Sequence, residues 1–216
     1  VLIGVVIATI LNLFYDYEGQ KQDLIRYMRE TENQLQMLLC GLAAYLHNKD
    51  MEINVWDRII AFEGRMHEFI KAAYDYQDNT FHSHPGYYID YFEMRLAQLQ
   101  VLHNLHYEIK KIRKMPKQAL VIADYIMYMA DYVVEMNIPD QQIEKLEEIS
   151  EQMKQEELPK TREEFEGRAL LYHILMDLEE FLVYKKRFVN GLDEKKLRIY
   201  WKQEMEQKDS ANELQK

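Results

Sequence analysis

Cysteine, glycine, proline and serine are all scarce, and each shortage removes a class of protein. A single cysteine, Cys40, in 216 residues rules out an intrachain disulfide. It sits among Met37, Leu38, Leu39 and Leu42, where a buried, unreactive thiol is expected. Seven glycines and four prolines are too few for the many tight turns of an all-β fold. The glycines never come closer than fifteen residues apart, so there is no glycine-rich phosphate loop. The three serines, Ser83, Ser150 and Ser210, stand in no G-x-S-x-G frame, and nucleophilic catalysis has no candidate. Excess positive charge is missing too. A net charge of −10 argues against a nucleic-acid backbone as partner and against charge-driven adhesion to anionic lipid.

Metal chemistry finds little support. Four of the seven histidines cluster, as His82-x-His84 and His103-x-x-His106. At ~1.5 Å per helical residue, His103 lies roughly 25 Å along the helix that follows His84, so the two pairs cannot share an ion. Either pair alone falls short of the three or four protein ligands that a zinc site needs. Di-iron bundles carry Glu-x-x-His, and no glutamate here has a histidine three residues after it. No metal, no cofactor and no enzymatic activity are expected.

What the chain has in abundance is apolar residues at helical spacing. Val1 to Tyr15, VLIGVVIATILNLFY, carries no charge, and Asn12 is its only strongly polar residue. A bilayer-spanning helix needs about 20 residues, and the chain starts at Val1 rather than at Met. The stretch therefore reads as the last part of a membrane helix, the contact with the lipid bilayer. Lys21, Arg26 and Arg29 just beyond it favour a cytoplasmic exit.

Beyond Asp16 the pattern is amphipathic. Leu24, Met28, Leu35, Leu38, Leu42 and Tyr45 fall on three- and four-residue steps, interrupted at Thr31. Val55, Ile59, Phe62, Met66, Phe69, Ala73 and Tyr76 repeat the steps without a break, with Asn54 as N-cap. After a loop at 78–86, residues 87–114 form a third helix with Phe92, Leu96, Leu99, Leu102, Ile109 and Ile112 on one face. A fourth helix is predicted over 117–136, and a short peripheral fifth over 141–155. Thr161 and Glu164 then make a capping box for a long sixth, striped by Phe165, Leu171, Leu175, Leu178 and Leu182. Asn190-Gly191 interrupts that helix, and a last turn or two reaches Trp201. The prediction is an all-α antiparallel bundle of about five to six helices over 16–207. The end of a transmembrane helix at 1–15 precedes it, and a disordered tail at 208–216 follows.

Tyrosine is over-represented, 16 against 8 phenylalanines, and its placement offers the best candidate surface. Tyr87 and Tyr91 open the third helix, with Arg95 one turn beyond and Gln98 after it. Tyr125, Tyr128 and Tyr132 form a row on the fourth helix, offset from its aliphatic stripe. Two readings stand. Tyrosines line the edge of a core, with ring buried and hydroxyl wet. Alternatively these residues form an aromatic groove for a planar organic acid or a partner helix, with Arg95 as a carboxylate-binding fork. Arg95 has Asp90 and Glu93 as competing partners.

Two stretches together resemble a known family. GVVIATILNLF running into a charged amphipathic helix is similar to the final membrane helix of the putative aromatic acid exporters, a group that includes fusaric acid resistance proteins. YYIDYFEMRLAQLQVLHNL, residues 87–105, resembles the Tyr-rich, Met-Arg-x-x-Gln helix of their cytoplasmic C-terminal domain. The matching positions are Tyr87, Tyr91, Phe92, Met94, Arg95 and Gln98. The resemblance implies a domain on the cytoplasmic face of the cell membrane, assisting assembly or regulation of an exporter of aromatic carboxylic acids. Striped helices also suit a homo-oligomer. The alternative is a membrane-anchored all-α interaction or sensor module that transports nothing.

Overall fold

In the computed structural model, residues 2–48, 54–79 and 86–201 are described. The loop with His82 and His84, and the tail at 208–216, lie outside them. Among the described residues seven helices follow one another: α1 (Leu2–His47), α2 (Val55–Asn79), α3 (Gly86–Lys111), α4 (Ala119–Ala130), α5 (Asp140–Lys154), α6 (Arg162–Asn190) and α7 (Glu194–Tyr200). The fold is an all-α bundle.

Apolar periodicity explains most of it. All seven positions of the α2 stripe are buried, and the Asn54 side chain accepts from the Asp57 backbone N–H at 3.2 Å to cap the helix. Each large apolar side chain withdrawn from water in this way contributes about 1.5–3 kcal/mol. In α1 the stripe from Leu24 to Leu42 is buried. Thr31 fills its interrupted position, with its hydroxyl donating to the Tyr27 carbonyl at 2.7 Å. Thr161 caps α6 by accepting from the Glu164 N–H at 3.1 Å. Glu164 reaches back to the Lys160 N–H at 3.0 Å, so the capping box closes one residue earlier than its usual form.

The centre of the bundle is α3. It packs against α6 on one side and against α2 and α1 on the other, while α1 also packs on α4. Enclosure from several sides buries Tyr87, Tyr91, Arg95 and Gln98 as well as the aliphatic face. Among the described residues α5 packs mainly on α6 and α4, at the periphery of the bundle. The short α7 lays Tyr200 on Tyr87, with ring centroids 3.8 Å apart.

Three local expectations are corrected. The fourth helix ends at Ala130, six residues short of Met136. The Tyr132 and Val133 N–H groups bond back three residues, to Met129 and Ala130, which tightens and ends the helix just before β-branched Val133 and Val134. Phe165 is 62% exposed, because the first turn of α6 runs past the core. Cys40 is half-buried, at the edge of the α1 stripe beside exposed Met37.

A single unbroken helix, α1 carries the apolar stretch straight into the bundle. Twenty-two of its residues precede Leu24, the first residue of the buried stripe. At ~1.5 Å per residue they extend α1 by about 33 Å. Among the described residues, no helix is long and apolar enough by itself to cross a membrane.

Candidate functional site

Four-residue and three-residue steps put Tyr87, Tyr91, Arg95 and Gln98 on one ridge of α3. Because α6 and α1 cover that ridge, its polar groups must find partners inside the protein. Arg95, 1% exposed, donates from Nη1 to the Gln98 side-chain oxygen at 2.9 Å and lies over the Tyr91 ring at 5.1 Å. Its Nη2 stands 3.7 Å from Glu32 on α1, an ion-pair contact longer than a hydrogen bond. Neither Asp90 nor Glu93 is its partner here. Gln98 in turn donates to the Phe181 carbonyl of α6 at 2.8 Å.

Two carboxylates and a lysine complete the cluster. Glu32 accepts from the Tyr91 hydroxyl at 3.3 Å and from Arg29 at 3.0 Å. Glu135, in the connection after α4, accepts from the Tyr87 hydroxyl, and Arg29 lies 4.0 Å from its other oxygen. The Tyr87 oxygen accepts from the Trp201 indole N–H at 3.2 Å. Lys185 of α6, 3% exposed, donates to the Glu135 main-chain carbonyl and faces the rings of Phe188 and Trp201.

Desolvation sets the electrostatics. Burial, and then repulsion by Arg95, hold the Lys185 ammonium well below its ordinary pKa. Burial pushes the Glu135 carboxyl up against the opposing hydrogen bond from Tyr87. The Tyr87 phenol rises through burial and the neighbouring Glu135 charge, and Tyr91 rises chiefly through burial.

The other predicted tyrosines sit under α5. The Tyr125 hydroxyl donates to the Gln142 carbonyl at 2.7 Å, and the Lys145 ammonium lies 3.7 Å over the Tyr128 ring. Tyr132 is half-exposed, 4.9 Å from the Tyr128 ring. Arg95, Gln98 and Tyr132 do meet, at a cavity of about 10 Å³ that Lys185 also lines. It has room for roughly one water-sized occupant, far less than the several hundred Å³ of an organic-ligand pocket. Tyr87 and Tyr91 do not line the cavity: Tyr91 adjoins it through Arg95 and Glu32, and Tyr87 through Glu135. Tyr125 and Tyr128 are taken up by packing against α5.

Elsewhere, His103 and His106 pack on Trp56, at 4.7 and 5.8 Å between ring centroids. Among the described residues, no group of three or more His, Cys, Asp or Glu is placed to hold a metal ion.

Sequence reasoning missed Glu32, Glu135, Lys185 and Trp201 as partners. Lys185 had a readable signal: it stands three residues after Leu182, on the apolar stripe of α6. Glu32 borders the interruption at Thr31. Glu135 had none, since only the early end of α4 turns it inward.

Over residues 21–186 the chain matches the family described as the putative aromatic acid exporter C-terminal domain. The chain belongs to this family. Its description is that of a putative exporter domain and names no enzymatic activity. Among curated proteins, the chain is similar to the uncharacterized protein YqjA of Bacillus subtilis strain 168, 25% identical over 190 residues. That match takes in 87% of this chain but only 58% of YqjA, so the chain spans little more than half of its relative's length. Among solved structures it shares its fold with a putative membrane protein from Clostridium difficile 630. The TM-score is 0.70 at 23% identity, covering 77% of this chain and 97% of that one.

Proposed function

We propose that this exporter-family domain sits on the cytoplasmic face of the cell membrane, where it assembles or regulates an exporter of aromatic carboxylic acids. The observation that carries the reading is the continuity of α1, one helix from Leu2 to His47. In this reading residues 1–15 end a membrane helix and contact the lipid bilayer, and the same helix enters the bundle on the stripe that begins at Leu24. Motion in the membrane part would reach the bundle without passing through a flexible joint.

The cargo crosses the membrane-embedded part of the full-length protein and need not touch this domain. An aromatic carboxylate is thus the ligand of the whole transporter, since the Arg95 cavity is too small for its ring. The exposed side of α1 around Met37 and Cys40 is where a second copy would pack in a homo-oligomer. Efflux of a radiolabelled aromatic acid from proteoliposomes carrying the full-length protein tests the proposal. Transport that falls when this domain is deleted is expected. No movement of any aromatic acid tested would favour a membrane-anchored interaction module instead.

A further inference from the structure

Two buried cations, Arg95 and Lys185, line the small cavity between α3, α6 and the α4–α5 connection, and no carboxylate lines it. Neither cation is hydrogen-bonded to a carboxylate. Arg95 spends Nη1 on the Gln98 amide, while its Nε and Nη2 have no hydrogen-bond partner among the described residues. Lys185 spends one proton on a main-chain carbonyl. Glu32 stands 3.7 Å from Arg95 Nη2, beyond hydrogen-bond length, and accepts from Arg29 and Tyr91, while Glu135 accepts from Tyr87 and lies 4.0 Å from Arg29. With all groups ionised, Arg95 and Lys185 match Glu32 and Glu135, and the half-exposed Arg29 adds one positive charge at the rim of the cluster. Buried donors without acceptors are costly.

We propose that this cavity binds one small monovalent anion of chloride size. Arg95 supplies two donor nitrogens that make no hydrogen bond, Nε and the Nη2 that faces Glu32 at 3.7 Å, and Lys185 supplies the second cation. Asn137, Gln142 and Tyr132 also line the cavity, with the Asn137 amide donating to Gln142 at 3.3 Å and the Gln142 amide to the Tyr128 hydroxyl at 3.4 Å. One negative charge balances the cluster, and the cavity excludes anything much larger than a water molecule. The site is independent of the exporter reading and of the cargo.

Crystals of the chain soaked in sodium bromide test the position. A bromide anomalous peak beside Arg95 and Lys185 is expected, and a water there in its place overturns the proposal. Thermal melts at fixed ionic strength, with sodium chloride replacing sodium gluconate, test the energetics. The midpoint should begin to rise near Kd and then climb with the logarithm of concentration, by about 5–10 °C at a chloride concentration one hundred times Kd. Lys185→Met should abolish the rise. No rise at all, or one that Lys185→Met leaves in place, overturns the site. A bromide peak without any chloride-dependent shift also overturns it, as an adventitious ion only. Should Lys185→Met fail to fold, Arg95→Lys keeps the charge but loses the guanidinium fork, and should raise the half-saturating chloride concentration about tenfold.

Discussion

Glu32 is the residue on which the buried cluster turns, because it touches Arg29, Arg95 and Tyr91 at once. Glu32→Met leaves Arg95 buried with no facing carboxylate and should destabilise the domain by about 3–5 kcal/mol. The double variant Glu32→Met with Arg95→Met removes both charges and should recover most of that loss. Urea unfolding of the two singles and the double checks this. Additive losses would show that the pair does not interact.

Asp177 makes a second residue-scale prediction, in pH. Burial first, then Glu108 and Glu180, raise its pKa to about 6. The folded state therefore holds this proton where the unfolded chain, with an ordinary carboxyl, has released it. Stability from this group is present at low pH and is lost as pH rises through 6. Because Asp177 is only half-buried, solvent screening reduces the effect to roughly 1 kcal/mol. Asp177→Asn should stabilise by that amount at pH 7 and by nothing near pH 4, in denaturant midpoints measured at both.

Among the elements, α2 and α3 show how far periodicity carries. Every stripe position of α2 is buried as read from spacing, because one face of this helix meets the core and the other meets water. For α3 the same reading found Phe92, Leu99 and Leu102 but left Tyr87, Tyr91, Arg95 and Gln98 between the edge of a core and a candidate binding surface. A helix enclosed on several sides has no polar face to detect, and its polar residues must pair across the core with groups far away in sequence. That pairing, with Glu32, Glu135 and Lys185, is tertiary, so spacing along one helix cannot reveal it. The end of α4 escaped for a similar reason. No glycine or proline marks Asp131, and the turn is completed by Lys185 bonding the Glu135 carbonyl fifty residues away.

Two helical glycines make a paired test of packing against propensity. In α2, Gly64 is exposed, and a methyl group added there would have nothing within 4 Å. Gly64→Ala should stabilise by about 0.5–1 kcal/mol. In α6, Gly167 brings the helix onto the α3–α4 connection, where an added Cβ would meet Pro116 Cγ at 2.9 Å. A proline ring cannot swing aside, so Gly167→Ala should cost about 1–3 kcal/mol in thermal or urea unfolding. Equal effects at the two sites would mean that propensity outweighs this contact.

Taken whole, the molecule is a bundle on a long helix, and its proposed role depends on that helix being continuous. Gly19 lies in α1 before the buried stripe begins and is exposed. A proline there breaks the helix at a cost of about 3 kcal/mol confined to this segment. In the full-length protein, Gly19→Pro should lower efflux while leaving the unfolding midpoint of the bundle within ~2 °C of the parent. Unchanged efflux would mean that no signal passes along α1.

Removal of residues 1–14 tests most directly whether the first stretch belongs to the membrane or to the core. The intact chain and the shortened one would be compared by flotation with liposomes and by the cooperative thermal transition of the bundle. The intact chain should float with the lipid and the shortened one should stay behind, while both unfold cooperatively at the same midpoint. Loss of the cooperative transition on removing the stretch would make it part of the core and contradict the membrane attachment.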